Sequence, residues 1–214
     1  IAPLVTMLGS PQPEMLVAAA GALSSLSREN AKNQTAVART GAIAPLCTIL
    51  REGSSEARDQ SASALWALAQ DNAPNKSTIA KFGAIEPLVG LLVTGDTAKS
   101  AHNSIGALAS LAAKHADNRV IVSKRLVGLL NTKDSERAVR GLGAIASICS
   151  DSSDSSVANQ LAIAKAGGVP HIISWLHATA EAVQTVAAHA LLALSAANFS
   201  TQALVVASGA IQPV

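Results

Sequence analysis

The sequence predicts an all-α fold in which a helical unit of about 42 residues recurs along the chain. Apolar residues make up 49% of the 214 residues, whereas aromatic residues make up only 2% and tyrosine is missing. Ala, Leu, Ile and Val must therefore form the core, and Ala and Leu favour helices. The phrase GAIAPL, from Gly41 to Leu46, returns 42 residues later as GAIEPL, from Gly83 to Leu88. A phrase that recurs at such an interval is typical of stacked repeat units.

Each unit contains a short segment with its own start and stop signals. The segment begins with Asn or Thr, whose side chain can accept a backbone N–H and cap a helix. It ends with Gly, which can take the left-handed conformation that terminates a helix. We therefore predict a two-turn helix in each segment, capped by the first residue. The segments run from Asn33 to Gly41, from Asn75 to Gly83, from Asn159 to Gly168 and from Thr201 to Gly209.

Two further helices follow each terminating Gly. The second helix has Pro45 or Pro87 in its first turn, where a missing N–H costs nothing, and its apolar spacing ends at Gly53 or Gly95. The third helix is longer, as in SEARDQSASALWALAQD from Ser55 to Asp71. It carries an apolar core of the A-L-x-x-L type, with Ile in place of Leu in the fourth unit, at Ala22, Ala64, Ala107, Ala144 and Ala190.

The repeat boundaries place residues 1–214 in a single array. No unit has enough apolar surface to fold alone, so neighbouring units must stack and share a continuous core. The chain begins and stops inside the repeated phrase, as IAPL and GAIQPV, so we expect a fragment of a longer array. The approximate repeats are 1–40, 41–82, 83–122, 123–166 and 167–208, with the start of another at 209–214.

The unit at 123–166 is irregular. After Asn118 the chain reads RVIVSKRLVGLL, so the Gly bend expected near Arg125 is missing and Leu126 comes five residues early. A deletion would merge or shorten two helices, and residues missing from the sequence as read would leave the same spacing. Later, the Asp- and Ser-rich run from Ser150 to Ser156 predicts a solvated loop. A phosphorylated or partner-binding loop is the alternative interpretation.

The unit resembles the armadillo repeat. The resemblance lies in the pattern N-x-x-x-I-x-x-x-G-A-I-x-P-L-V-x-L-L followed by E-x-x-x-x-A-L-W-A-L-A, and it covers nearly the whole chain. HEAT repeats have a similar length but lack this Gly-bent unit of three helices. The resemblance implies a right-handed α-solenoid, or superhelix, with three helices in each repeat of about 42 residues. It also implies binding of extended peptides or partner proteins along the concave face lined by the third helices.

In the best-known armadillo proteins, a ladder of Asn side chains holds the ligand backbone, and Trp residues one turn earlier flank its Lys or Arg side chains. Only Trp66 matches the Trp position, and Gln70 keeps amide chemistry at the Asn position. We therefore predict partner contacts at Trp66, Gln70 and Arg28; core filling remains the alternative for Trp66, and Trp175 is predicted to be structural. The Trp positions are Ser24, Trp66, Ala109, Ala146 and Leu192, and the Asn positions are Arg28, Gln70, Ala113, Ser150 and Ala196.

Composition and motifs disfavour most other function classes. A net charge of +2 and few aromatic residues argue against nucleic-acid binding, and no apolar run is long enough for a membrane span. Cys47 and Cys149 are predicted to be buried free thiols, which suits a reducing compartment, the cytoplasm or the nucleus. No catalytic, metal, cofactor or small-molecule site is predicted, because no motif brings reactive groups together. The histidines also lack zinc-ligand spacing: His102, His115, His171, His177 and His189.

These observations predict a non-enzymatic scaffold that binds partner proteins or extended peptides along the concave face of the solenoid. Two alternatives remain open. One is a structural subunit of a large assembly, such as a cytoskeletal or ciliary one, in which the irregular unit would be a docking feature. The other is a divergent nuclear-import adaptor, although the acidic residues that would neutralise a basic signal are sparse on the third helices.

Overall fold

The structure is a computed structural model that describes residues 1–95, 97–150 and 155–210. Those residues form fourteen helices and no strand, so the predicted all-α class is confirmed. The helices are α1 (Ala2–Met7), α2 (Pro13–Ser27), α3 (Ala31–Arg39), α4 (Ile43–Glu52), α5 (Ser55–Ala69), α6 (Ala73–Lys81), α7 (Ile85–Thr94), α8 (Ala98–Ala112), α9 (Ala116–Leu130), α10 (Ser135–Cys149), α11 (Ser156–Lys165), α12 (Gly168–Leu176), α13 (Glu181–Ser195) and α14 (Phe199–Ala207).

The helices form two compact units, Ile1–Asn118 and Arg119–Val214. In the first unit, α5 packs between α2 and α8, and the second helices α4 and α7 pack against α5 and α8. In the second unit, α10 packs against α13, and α12 packs against α13 from the same repeat. Leucine, isoleucine and alanine fill both cores. The third helices are therefore the elements through which successive repeats meet. The prediction of one continuous array with the boundaries given above stays a prediction.

Glycines turn the chain between the first and second helices, as the sequence predicts. Gly41 and Gly83 have φ angles of +82° and +73°, in the left-handed region that a side chain disfavours. At Gly83 the axes of α6 and α7 differ by 77°. The same conformation occurs at Gly167 and Gly209. These bends separate the first and second helices of the regular repeats.

The predicted cap residues of the first helices are wrong by one turn. The side chains of Asn30 and Asn72 cap α3 and α6, because each accepts the backbone N–H of the residue three positions later. Asn198 caps α14 in the same way. Asn33 and Asn75 therefore lie inside their helices. Thr201 is likewise inside its helix, and Asn159 lies within α11, which begins at Ser156.

Asn33 and Asn75 instead tie each first helix to the third helix before it. The side-chain amide of Asn33 donates to the carbonyl of Leu26 at 2.7 Å, and that of Asn75 donates to the carbonyl of Leu68 at 2.9 Å. Asn118 repeats the contact with Leu111 at 3.2 Å. The last carbonyls of a helix have no partner within the helix. The recurrent Asn supplies one, which explains why it recurs.

The irregular unit contains one merged helix. Where regular repeats have two helices joined by a Gly bend, α9 runs without interruption from Ala116 to Leu130. Its side chains Val122, Leu126 and Leu130 are buried at helical spacing. This is the merging that a deleted bend would cause. Residues 151–154 of the predicted Ser150–Ser156 loop lie outside the described residues.

Trp175 contacts the merged helix. The indole Nε1–H of Trp175 donates to the carbonyl of Leu130 at 3.1 Å, and the side chain is half-buried. Leu130 is the last residue of α9, so its carbonyl has no partner within the helix. This contact agrees with the structural role predicted for Trp175.

Both cysteines are buried free thiols. Burial raises the pKa of Cys47 and of Cys149 from 9.0 to about 12, although the charge of Arg51 partly lowers the pKa of Cys47.

At pH 8 we expect the two thiols of the folded chain to react with a disulfide reagent about a thousand-fold more slowly than those of the chain in urea, because the thiolate fraction falls tenfold per pKa unit. The protonated thiols stabilise the fold below pH 9, and this contribution is lost as the pH rises toward 12. Equal rates with and without urea would contradict the burial.

No single helix among the described residues has both the length and the apolar character to cross a membrane. The bent pair α6 and α7 meets that test of length and composition only when taken together.

Candidate partner-binding pocket

The three residues that the sequence singles out line one pocket in the first unit. Arg28, Trp66 and Gln70 surround a space of about 180 Å³ between the ends of α2 and α5. We call this space the α2–α5 pocket. Its remaining lining residues are Glu29, Ser63 and Ala67. The pocket thus joins a guanidinium, a carboxylate, an amide and an indole within the reach of one short peptide segment.

Helical spacing explains the contribution of α5. Ser63, Trp66, Ala67 and Gln70 stand at positions i, i+3, i+4 and i+7, so they share one face of the helix. Gln70 is the first residue after α5, and its backbone leaves the helix with φ −58° and ψ 118°. Its side chain therefore stands at the end of the helix, beside the indole one turn earlier.

The turn after α2 brings both of its charges to the pocket. Arg28 follows the helix in an extended conformation, and Glu29 has a φ angle of +53°. Asp71 has the equivalent conformation after α5, with a φ angle of +47°. Non-glycine residues are uncommon in this left-handed region, and here the next residue caps the following helix. The side chains of Arg28 and Glu29 are exposed and both line the pocket.

Trp66 has a core contact as well as a place in the pocket wall. Its ring lies edge-on to the ring of His102, with centroids 5.2 Å apart and an interplanar angle of 71°. It also covers Gly106 of α8, where an added Cβ would lie 2.5 Å from an indole carbon. The side chain is half-buried. The contacts with His102 and Gly106 agree with the core-filling interpretation of Trp66, and its contact with a partner stays a prediction.

The carbonyls at the end of α5 are all hydrogen-bonded, which holds the part of this helix that lines the pocket in place. The carbonyl of Ala67 accepts from Nε2 of Gln34 at 3.0 Å, and that of Leu68 accepts from Asn75. The backbone N–H groups of Gln70 and Asn72 donate to the two remaining carbonyls, those of Trp66 and Ala69. Gln34 also accepts from the side chain of Asn72 at 3.2 Å. A helix end with every acceptor satisfied resists fraying.

The Trp and Asn positions of the other repeats do not offer side chains similar to Trp66 and Gln70. Ser24 is buried, and its hydroxyl is 2.9 Å from the hydroxyl of Ser63. The carbonyl of Ala113 accepts from Nζ of the buried Lys76 at 2.6 Å. In the second unit, Ala146 is half-buried, whereas Leu192 is 68% exposed. Ser150 and Ala196 are exposed but carry short side chains.

Sequence reasoning missed half of the pocket lining. Ser63 and Ala67 could have been found from their spacing to Trp66 and Gln70 on the same helical face. Glu29 could not, because its position depends on a left-handed backbone that its residue type does not indicate.

Titratable groups converge at no metal-binding cluster within the part of the chain that the structure describes. Of the histidines, His102 packs on Trp66. His115 lies before α9, where its Nδ1 accepts the backbone N–H of Asn118 at 3.4 Å, and its Nε2 is 2.9 Å from the hydroxyl of Ser77. These contacts give both histidines a place in the packing of the first unit.

No protein-family model and no curated protein matches the chain, but solved structures match nearly its full length. A designed armadillo repeat protein is 23% identical, with a TM-score of 0.65, over 98% of this chain and 88% of that one. An engineered protein of the Northeast Structural Genomics Consortium is 28% identical, with a TM-score of 0.68, over 97% and 84%. A designed armadillo repeat protein in complex with the peptide (KR)4 is 22% identical, with a TM-score of 0.67, over 98% and 87%. The predicted armadillo-type solenoid is confirmed at the level of the fold.

Proposed function

Given this armadillo-type repeat fold, we propose that the chain is a non-enzymatic protein-interaction module. It binds an extended segment of a partner protein at the α2–α5 pocket. The observation that carries this proposal is the meeting of Arg28, Trp66 and Gln70, each chosen from the sequence by repeat position, around one pocket.

Each group has a distinct part in binding an extended segment. The amide of Gln70 can donate to and accept from one peptide unit of the ligand. The indole of Trp66 offers a flat apolar surface to the neighbouring side chain. Arg28 and Glu29 present opposite charges on the side of α2, so they favour a ligand that carries a polar or charged residue next to that side chain. Together they form a small anchor within a wider contact area.

The residues at the Trp positions of this chain do not favour a ligand with a row of cationic side chains. A regular Trp ladder offers an indole face to each of several cationic side chains. In the first unit of this chain the corresponding positions are Ser24, Trp66 and Ala109. We therefore expect a ligand with one anchoring side chain instead of a row of Lys and Arg, and this disfavours the nuclear-import adaptor. The buried thiols support a reducing compartment, the cytoplasm or the nucleus, as the place of action.

The experiment is a selection of random eight-residue peptides displayed on phage, against the wild-type chain. We expect enriched peptides to bind the Trp66→Ala/Gln70→Ala double variant at least tenfold more weakly, by fluorescence anisotropy. That loss corresponds to about 1.4 kcal/mol of binding free energy. Phe82→Ala is the matched control, because Phe82 is an exposed aromatic residue of the same unit outside the pocket.

Circular dichroism must show that both variants keep the wild-type helix content. If the enriched peptides bind the double variant as tightly as the wild type, the pocket is not the binding site. If the Phe82→Ala variant loses affinity to the same extent, the effect is not specific to the pocket.

A further inference from the structure

The merged helix α9 has an exposed face that the regular repeats lack. In a regular repeat the first and second helices diverge by 77°, as α6 and α7 do. In α9 the corresponding segment is one continuous helix of 15 residues, about 22 Å long at the usual rise per residue. The loss of the bend therefore turns two short, divergent surfaces into one continuous surface about four turns long.

Apolar side chains occupy this exposed face. Val120 is 48% exposed and Ile121 is 43% exposed, while Val122 and Leu126 on the opposite side are buried. Counting from the recurrent Asn, the positions of Val120 and Ile121 hold Ser77 and Thr78 in the preceding repeat and Thr35 and Ala36 in the one before it. Only the unbroken helix has two large aliphatic residues at these positions. Together, Val120 and Ile121 form a small apolar patch on the exposed side of α9.

The same face continues with positive charge and open space. Lys124 and Arg125 lie one turn after Val120 and Ile121, and both are exposed. Gly128 follows one turn later, and a Cβ placed there would have no atom within 4 Å. A helix can approach closely over a glycine, and the basic residues favour a partner with carboxylates at the same height. We call Val120, Ile121, Lys124, Arg125 and Gly128 the α9 face.

We propose that the α9 face binds an amphipathic, acidic helix of a partner protein. The apolar side of that helix covers Val120 and Ile121, and its Asp or Glu residues meet Lys124 and Arg125. This surface belongs to the second unit and shares no residue with the α2–α5 pocket, so either proposal can fail without the other.

The test is a displayed library of 15-residue helices with four leucines fixed on one side and each flanking position filled by Glu, Gln or Lys. We expect the whole chain to enrich members with Glu at the flanking positions. These members should bind the Val120→Ser/Ile121→Ser variant at least tenfold more weakly. The Lys124→Glu/Arg125→Glu variant should reverse the preference and enrich Lys. A Ser77→Val/Thr78→Ile variant, which places the same aliphatic residues on the bent repeat, should gain no additional binding.

Several results would overturn the proposal. One is enrichment of the same members by the Val120→Ser/Ile121→Ser variant, and another is the lack of a Glu preference that responds to charge reversal. Self-association of the wild-type chain that the Ser variant abolishes would assign the face to a second copy. Binding to anionic lipid vesicles that the Glu variant abolishes would assign it to a membrane surface. Helix content measured by circular dichroism keeps a folding defect apart from all of these outcomes.

Discussion

Replacing Gly106 with alanine is expected to destabilise the first unit and to release the indole of Trp66 from its place against α8. The added Cβ would lie 2.5 to 2.7 Å from three ring atoms, which is closer than carbon atoms pack. Forcing a group into such a contact costs about 1–3 kcal/mol. The gain in helix propensity from Gly to Ala, about 1 kcal/mol, offsets only part of this cost. Peptides that use the α2–α5 pocket should lose affinity as well, because the indole forms its wall.

The measurement is urea unfolding followed by tryptophan emission, in a Trp175→Phe background that leaves Trp66 as the single tryptophan of the two in the chain. We expect a lower unfolding midpoint and a red-shifted emission of the folded state. Gly90→Ala in α7 is the control, because a Cβ there meets no atom within 4 Å. That change should stabilise the unit by about 0.5–1 kcal/mol. A Gly106→Ala variant as stable as Gly90→Ala, with unchanged emission, would show that the indole does not rest on α8.

The repeat phrase predicts the helices and their bends well, because the signals are local. The left-handed conformation at Gly41 and Gly83 follows from the residue type alone. The local pattern misplaces the caps because a repeat such as that of Asn72 and Asn75 offers two good cap formers one turn apart. Only the packing decides that Asn72 caps α6 while Asn75 turns inward to the preceding helix. A choice between two competent residues thus depends on tertiary contacts that the local pattern does not contain.

The residues of the candidate pocket were also only partly predictable from local sequence signals. The register of the third helices was enough to place Trp66 and Gln70 on one face, and repeat alignment added Arg28. The contribution of Glu29 depends on a turn that the sequence does not specify. The contact of Trp66 with Gly106 joins residues 40 positions apart. No spacing rule within one repeat could have revealed it, because the fit depends on the distance between two stacked helices.

Replacing Asn75 with alanine is expected to lower the stability of the first unit by about 2–3 kcal/mol. The side chain is only 4% exposed, and its amide donates to the carbonyl of Leu68 at 2.9 Å and to that of Gln34 at 3.4 Å. The Leu68 carbonyl belongs to the last turn of α5, so no backbone group of the helix can replace the lost donor. A buried acceptor without a partner costs about 1–3 kcal/mol, and the small cavity left by the amide adds to this.

The matched change is Asn33→Ala, which removes the equivalent side chain one repeat earlier. Asn33 donates to the carbonyl of Leu26 at 2.7 Å, but this contact is exposed, so water can take the place of the amide. Its loss should therefore cost no more than about 1 kcal/mol. Urea unfolding of both variants, followed by circular dichroism, measures the difference. If the two variants lose equal stability, burial does not determine the strength of the contact. The recurrent Asn would then stabilise the chain through the first helix that contains it, and not through its hydrogen bond to the preceding third helix.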